Sequence, residues 1–182
     1  ECDWSSDVCS SDLQNDPDYP TLLIANQILG GDLKSRMWTR IREKDGLSYG
    51  AQTMLSAGVL ETFAPFQFYA LVNPQNTLKA EAAFKEELQK AVADGVTAQE
   101  VNEAKAAFLQ EQVVGRSQDR SLAGLLANQA RYGWTMQRTA DIEAKIGALT
   151  ADQVNAALRK WIKPADISIF KAGDFKKAGV TQ

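Results

Sequence analysis

Residues 29–50 read Leu29-Gly-Gly-Asp-Leu-Lys-Ser-Arg-Met-Trp-Thr-Arg-Ile-Arg-Glu-Lys-Asp-Gly-Leu-Ser-Tyr-Gly50. Gly30-Gly31 marks the stop of a preceding helix, because glycine is favoured just past a helix C-terminus. Ser35 stands where an N-cap belongs, and a second helix is predicted from Ser35 to Lys44. Met37, Trp38 and Ile41 share one face of it. Asp45-Gly46 ends that helix. A strand is predicted from Leu47 to Ser56. The stretch is therefore a helix–turn–strand unit, with Arg42 late on the helix and Tyr49 at the head of the strand.

Working outward, an earlier helix is expected to start at Asp18-Tyr19-Pro20, with Pro20 in the first turn, where its missing N–H costs nothing. Leu22, Leu23, Ile24, Ile28 and Leu29 are its apolar residues. After the first strand, Val59 to Val72 alternates in two registers. Leu60, Ala64, Phe66, Phe68, Ala70 and Val72 form one, and Val59, Phe63, Tyr69 and Leu71 the other. Apolar residues in both registers predict a central strand partly covered on both faces. Ala57-Gly58 is the expected turn of an antiparallel pair, and Pro65 predicts a bulge or an edge.

A helix is predicted over 76–93, with Phe84, Leu88, Ala91 and Val92 on one stripe. Thr97-Ala-Gln-Glu100 and Thr150-Ala-Asp-Gln153 read as capping boxes, each opening a helix. The first of these is long, and Gly115 is expected to kink or break it. Further helices are expected over 121–132 and 140–149, and Pro164 stops the helix that ends at Trp161. Asp166 to Lys171 is expected to be a last strand. The order ααββααααβ gives the fold class α+β, an antiparallel sheet with helices packed on one face.

The first thirteen residues, ECDWSSDVCSSDL, differ in character from the rest of the chain. They lack Lys and Arg and show no apolar period. Asp3 to Leu13 resembles the in-frame translation of a sequencing-library adapter, so residues 1–13 are set aside as an artefactual or disordered tail. Residues 14–182 then form one α+β domain, a length that suits a single core. Both cysteines, Cys2 and Cys9, lie in the tail. So do Glu1, Asp3, Asp7 and Asp12. Taking these four from the 23 acids leaves 19 against 20 bases, so the acidic balance says nothing about partners. The bases are scattered among acids along helices, which argues against nucleic acid as a partner. No apolar run approaches the ~20 residues of a membrane span, and no basic segment followed by an apolar one opens the chain as a leader would.

The chain has no histidine. Histidine is the commonest zinc ligand and a frequent general base. A domain with neither His nor Cys cannot build an ordinary zinc site, a Ser-His pair or a Cys-His pair. Carboxylate chemistry stays open, although the acid pairs, Glu86-Glu87 among them, read as solvated helix faces.

The 29–50 stretch closely resembles the pattern L-G-G-x3-S-R-L-x3-I-R-E-K-x-G-L-x-Y of C-terminal half-domains in the pitrilysin/insulinase (M16) zinc metallopeptidases, including bacterial processing-peptidase-like members. The resemblance continues more loosely over residues 17–175. It implies a half-domain of the LuxS/MPP-like fold that carries no zinc itself. In such enzymes an N-terminal half supplies an inverted H-x-x-E-H zinc motif, and the C-terminal half contributes an Arg and a Tyr to the substrate. The matching positions are Arg42 and Tyr49. Without the resemblance, Arg42 reads as a solvated charge or a partner of Glu43 or Asp45, and Tyr49 as a half-buried packing residue. Gly30 and Gly31 read as a helix stop, or as a loop that touches substrate. Arg36 reads as an ion-pairing residue, and Trp38, Trp134 and Trp161 as core or interdomain residues.

The resemblance thus predicts the substrate-binding half of a zinc-dependent peptidase acting on peptides or small proteins. Zinc belongs to the complete enzyme and is not bound by this chain. Its partners are a zinc-carrying N-terminal domain or subunit and a peptide substrate. The isolated chain is expected to be inactive. A non-catalytic assembly subunit of the same fold is the alternative, and a free-standing peptide-binding module a third reading. The compartment, periplasm or cytoplasm of a bacterium, is left open by the sequence.

Overall fold

The computed structural model describes residues 13–59 and 64–179. The adapter-like tail therefore falls, but for Leu13, outside the described residues, as do Leu60 and Phe63 of the expected second strand. Helix α1 (Tyr19–Asn26) carries Pro20 in its first turn and runs directly into a wider π-helical turn, Gln27–Gly31. Helix α2 (Arg36–Trp38) likewise continues as a π turn, Thr39–Lys44. Ser35 occupies the N-cap position, but its hydroxyl donates to Asp32 O at 2.6 Å instead of capping the helix.

Two strands come next, β1 (Ser48–Leu55) and β2 (Phe66–Val72), paired antiparallel from Ser48↔Val72 to Leu55↔Phe66. The expected second strand is shorter than its alternation suggested. Pairing starts at Phe66, directly after Pro65, whose ring leaves no N–H for a ladder. Before it, Ser56 N donates to Pro65 O at 3.0 Å and closes the connection.

The rest is helical: α3 (Thr77–Ala93), α4 (Ala98–Arg116), α5 (Asp119–Tyr132), α6 (Met136–Ala148) and α7 (Ala151–Trp161). Both capping boxes form. Thr97 Oγ1 accepts from Glu100 N at 3.2 Å while Thr97 N donates to Glu100 Oε2 at 2.8 Å. Thr150 and Gln153 repeat the exchange at the start of α7. The break expected at Gly115 falls just after it, at Ser117-Gln118. Helix α4 passes through Gly115 and ends at Arg116.

The inner face of the sheet meets these helices. Ala51 and Thr53 of β1 are buried, and Phe68 of β2 stacks on Phe84 of α3 with ring centroids 4.4 Å apart. Such a pair contributes ~0.5–1.5 kcal/mol beyond its buried area. Ile24, Leu29, Met37, Ile41, Leu88, Val101, Ile146, Val154 and Leu158 are fully enclosed around it. The fold is α+β with helices on one sheet face. The opposite face is uncovered: Tyr49, Met54, Tyr69 and Leu71 are all exposed. Of the partial cover expected on both faces of the second strand, the described residues supply one side.

The last expected strand, 166–171, does not form. Pro164–Asp166 is a 3₁₀ turn, and the residues after it pair with no strand among the described residues. Ile167 packs on the core, and Lys171 Nζ lies 2.6 Å from Glu81 Oε2 on α3. The segment is held beside α3 and not along a strand, which leaves Phe170 exposed.

Side-chain ties connect the parts. Asp18 Oδ2 accepts from Lys160 Nζ at 2.6 Å and Trp161 Nε1 at 2.9 Å, joining the start of α1 to the end of α7. Asn155 of α7 accepts from Val96 N at 2.6 Å and donates to Val96 O at 3.1 Å, like a one-residue length of strand. Gly95, next to it, has a φ of +82°, and a Cβ there would lie 2.7 Å from Asn155 Oδ1.

Candidate functional site

The joint between the π turn and β1 is built from short-range hydrogen bonds. Asp45 N donates to Arg40 O at 3.0 Å and Leu47 N to Ile41 O at 2.8 Å. Gly46 takes a φ of +59°, which a side chain would strain. π turns inserted in helices recur at functional sites, and this one carries Arg42.

The chain then enters β1 through a bulge. Ser48 pairs with Val72 and Gly50 with Leu71, so Tyr49 is the extra residue. Ser48 fills the irregularity: its Oγ lies 2.6 Å from both Gly50 O and Leu71 O, and accepts from Gly50 N at 3.1 Å. A bulge re-aims a side chain relative to the alternation around it. Here it turns Tyr49 outward, 82 % exposed.

Arg42 and Tyr49 meet. The Arg42 guanidinium carbon lies 4.7 Å from the centroid of the Tyr49 ring and 4.6 Å from that of Trp38. Arg42 Nη1 also donates to the Tyr49 carbonyl. A guanidinium has five N–H donors in one plane. Two rings lie against this one, and the remaining in-plane donors make no other hydrogen bond with the described residues.

Two neighbouring arginines have different work. Arg36 makes a bidentate pair with Glu100, Nε to Oε1 at 2.7 Å and Nη2 to Oε2 at 2.9 Å, and donates to Gly95 O at 3.0 Å. Burial pushes the Glu100 carboxyl up, but Arg36 and the Thr97 amide outweigh it and hold the group down at about 2. Arg40 binds Asp45 at 2.7 Å, Glu86 at 2.9 Å and Glu87 at 3.4 Å. The first pins the Arg42 helix to α4 and the second pins it to α3. With both of them engaged, Arg42 is the arginine of the 29–50 stretch that is turned to the open sheet face.

The glycines differ from each other. Gly30 is buried, and a Cβ there would sit 2.5 Å from Thr53 N, so it lets the π turn lie directly on β1. Gly31 is exposed, and a Cβ would first meet the end of the Gln27 side chain at 2.8 Å.

A groove of about 550 Å³ lies elsewhere, lined by Tyr19, Phe108, Tyr132, Trp134, Arg138 and Glu143 among others. Its charged groups are engaged within the fold. Arg138 lies 3.8 Å over the Trp134 ring and donates to Gln14 O at 2.7 Å, while Glu143 pairs with Arg116. No three Cys, Asp or Glu side chains gather to hold a metal among the described residues, and the chain has no histidine. No described helix is long and apolar enough to cross a membrane.

The peptidase M16 inactive-domain model matches residues 4–108. An uncharacterized zinc protease of Streptomyces coelicolor is 25 % identical over 136 residues, which are 75 % of this chain and 29 % of that protein. The M16 inactive domain solved from Pseudomonas fluorescens superposes with a TM-score of 0.72 at 24 % identity, covering 86 % of this chain and 37 % of that one. A Helicobacter pylori protease gives 0.69 at 19 % identity over the same shares. The chain therefore spans roughly a third of the length of each of these proteins.

Proposed function

The chain belongs to the peptidase M16 inactive-domain family, and on that premise we propose that it is the substrate-binding half of a zinc-dependent peptidase. Zinc does not fit the residues described: the chain has no histidine, and no donor set clusters among the described residues. The ion and the water it activates belong, in this reading, to a facing domain or subunit. No step through zinc is assigned to this chain.

What the chain supplies is the Arg42–Tyr49 pair, and the observation that carries the reading is their meeting on the open sheet face. In this reading the exposed Tyr49 hydroxyl donates to an oxygen that gains negative charge during peptide hydrolysis. The free in-plane N–H groups of Arg42 can hold a carbonyl of the same peptide.

In the full-length protein, Arg42→Ala and Tyr49→Phe are each expected to lower kcat/KM for a peptide about 10- to 1000-fold. Near-wild-type kinetics for both would leave the pair structural. One feature favours that second reading, an assembly subunit of the same fold: Arg42 already donates to the backbone of Tyr49. The same two variants separate the readings, because an assembly role loses complex formation and not turnover.

A further inference from the structure

We propose that Trp38 is a positioning residue, which fixes Arg42 and through it the direction of Tyr49. The inference rests on the reading that Arg42 and Tyr49 meet substrate. Its starting point is a difficulty with Tyr49. A tyrosine on a bulge, 82 % exposed, has no packing of its own to choose one rotamer. A transition-state donor that wanders is worth little, since a misplacement of about 1 Å can cost ~100-fold in rate.

The structure shows one set of contacts that restrains it. Trp38 and Arg42 are four residues apart on one helix and therefore share a face. The helix is anchored by Met37 and Ile41, both fully buried, and by the Arg36 and Arg40 ion pairs. Trp38 thus presents its ring from a rigid base. The Arg42 guanidinium lies against it at 4.6 Å and against the Tyr49 ring at 4.7 Å. The bond from Arg42 Nη1 to the Tyr49 carbonyl closes the set. The order of support runs from buried helix to indole, guanidinium and phenol.

Each exposed cation–π face favours the stacked arrangement roughly 2- to 5-fold. Tryptophan gives the strongest such face, phenylalanine a weaker one and an aliphatic side chain none. The role therefore has a graded signature that simple bulk lacks. Trp38→Phe should retain most of it, and Trp38→Leu should lose it while still filling space.

Two measurements test this. In the 182-residue chain, NMR reads Arg42 directly: its Hδ protons should be shifted upfield by the two rings, and its Nε–H should exchange slowly. Trp38→Leu should return both signals towards free-arginine values, and Trp38→Phe should hold them near wild type. In the full-length protein, Trp38→Leu should lower kcat about 3- to 30-fold with KM changed less than about 3-fold, and Trp38→Phe should restore it. If the Arg42 signals stay at wild-type values in a folded Trp38→Leu chain, the inference is overturned. If Arg42→Ala and Tyr49→Phe lower kcat/KM but Trp38→Leu does not, the inference is also overturned and the substrate-binding reading survives. If the Arg42 signals move in Trp38→Leu while all three variants keep wild-type kinetics, the positioning stands and the substrate-binding reading falls.

Discussion

At Gly30 the α-carbon of one element touches the backbone of another. A methyl group there would sit 2.5 Å from Thr53 N and 2.7 Å from both Thr53 Oγ1 and Cγ2. The obstacle is a backbone atom of a paired strand, so β1 or the π turn would have to move. Gly30→Ala is expected to destabilise the chain by about 1–3 kcal/mol, the range for overpacking. Gly31→Ala first meets the end of the Gln27 side chain at 2.8 Å, not a strand backbone atom, and should cost at least ~1 kcal/mol less. Urea unfolding of both variants checks the contrast, and equal losses would contradict it. The sequence shows a Gly-Gly pair and permits one explanation for both, a helix stop. Only tertiary contact separates them. The same holds for Arg36, Arg40 and Arg42, which look alike in sequence because the carboxylate partners Glu86, Glu87 and Glu100 lie 46 to 64 residues away. Arg42 stands apart in the sequence only through its place in the resemblance pattern.

Among elements, those that close within their own first turn were legible. Thr97–Glu100 and Thr150–Gln153 are three residues apart, and both cap as the sequence predicts. The first of them makes a measurable claim, because Glu100 also receives Arg36. Its carboxyl is held at about 2, below the ordinary value of 4.5. A group with a lowered folded pKa contributes stability in full above its unfolded pKa, and loses it as pH falls through the folded value. The tie should therefore be complete above about pH 5 and fade between about 4.5 and 2. Glu100→Gln should cost about 1.5–3 kcal/mol at neutral pH, as for hydrogen bonds to charged groups. The gap from wild type should narrow over that acid window. A gap independent of pH down to about 2 would contradict the ionic account.

Elements that depend on distant partners were less legible. Alternation in 166–171 suits a strand, yet alternation cannot supply an edge to pair with, and Lys171 is drawn to Glu81 instead. The π turns at 27–31 and 39–44 left no mark on a periodicity read in steps of three and four. The bulge at Tyr49 is equally silent in sequence, because it is defined by its partner strand. These silent features aim the candidate site: its residues could be named from the resemblance, and their mutual geometry could not.

For the molecule as a whole, the reading as a half without zinc has a thermodynamic consequence. A ligand held by the native state alone raises stability by ~2.7 kcal/mol at a hundred times its Kd. In a chain of this length that is a Tm rise of about 5–10 °C. With Cys2 and Cys9 replaced by Ser, added Zn²⁺ should leave the Tm of this chain within about 1 °C. A rise of about 5 °C or more would place a zinc site here and overturn the division of labour proposed above. The architecture agrees with that division. One sheet face is buried under helices, and the other presents Tyr49, Met54, Tyr69 and Leu71 to the outside.

The amide of Asn155 leads to a different kind of constraint. It both gives to and takes from Val96, and it stands 2.7 Å from where a side chain on residue 95 would begin. Aspartate could take but not give, leucine could do neither, and anything larger than glycine at 95 would push the amide away. Positions 95 and 155, far apart in the chain, therefore cannot drift independently. A lineage that changes one must change the other or lose the seam between α7 and the α3–α4 turn, so the two sites should share a single evolutionary history.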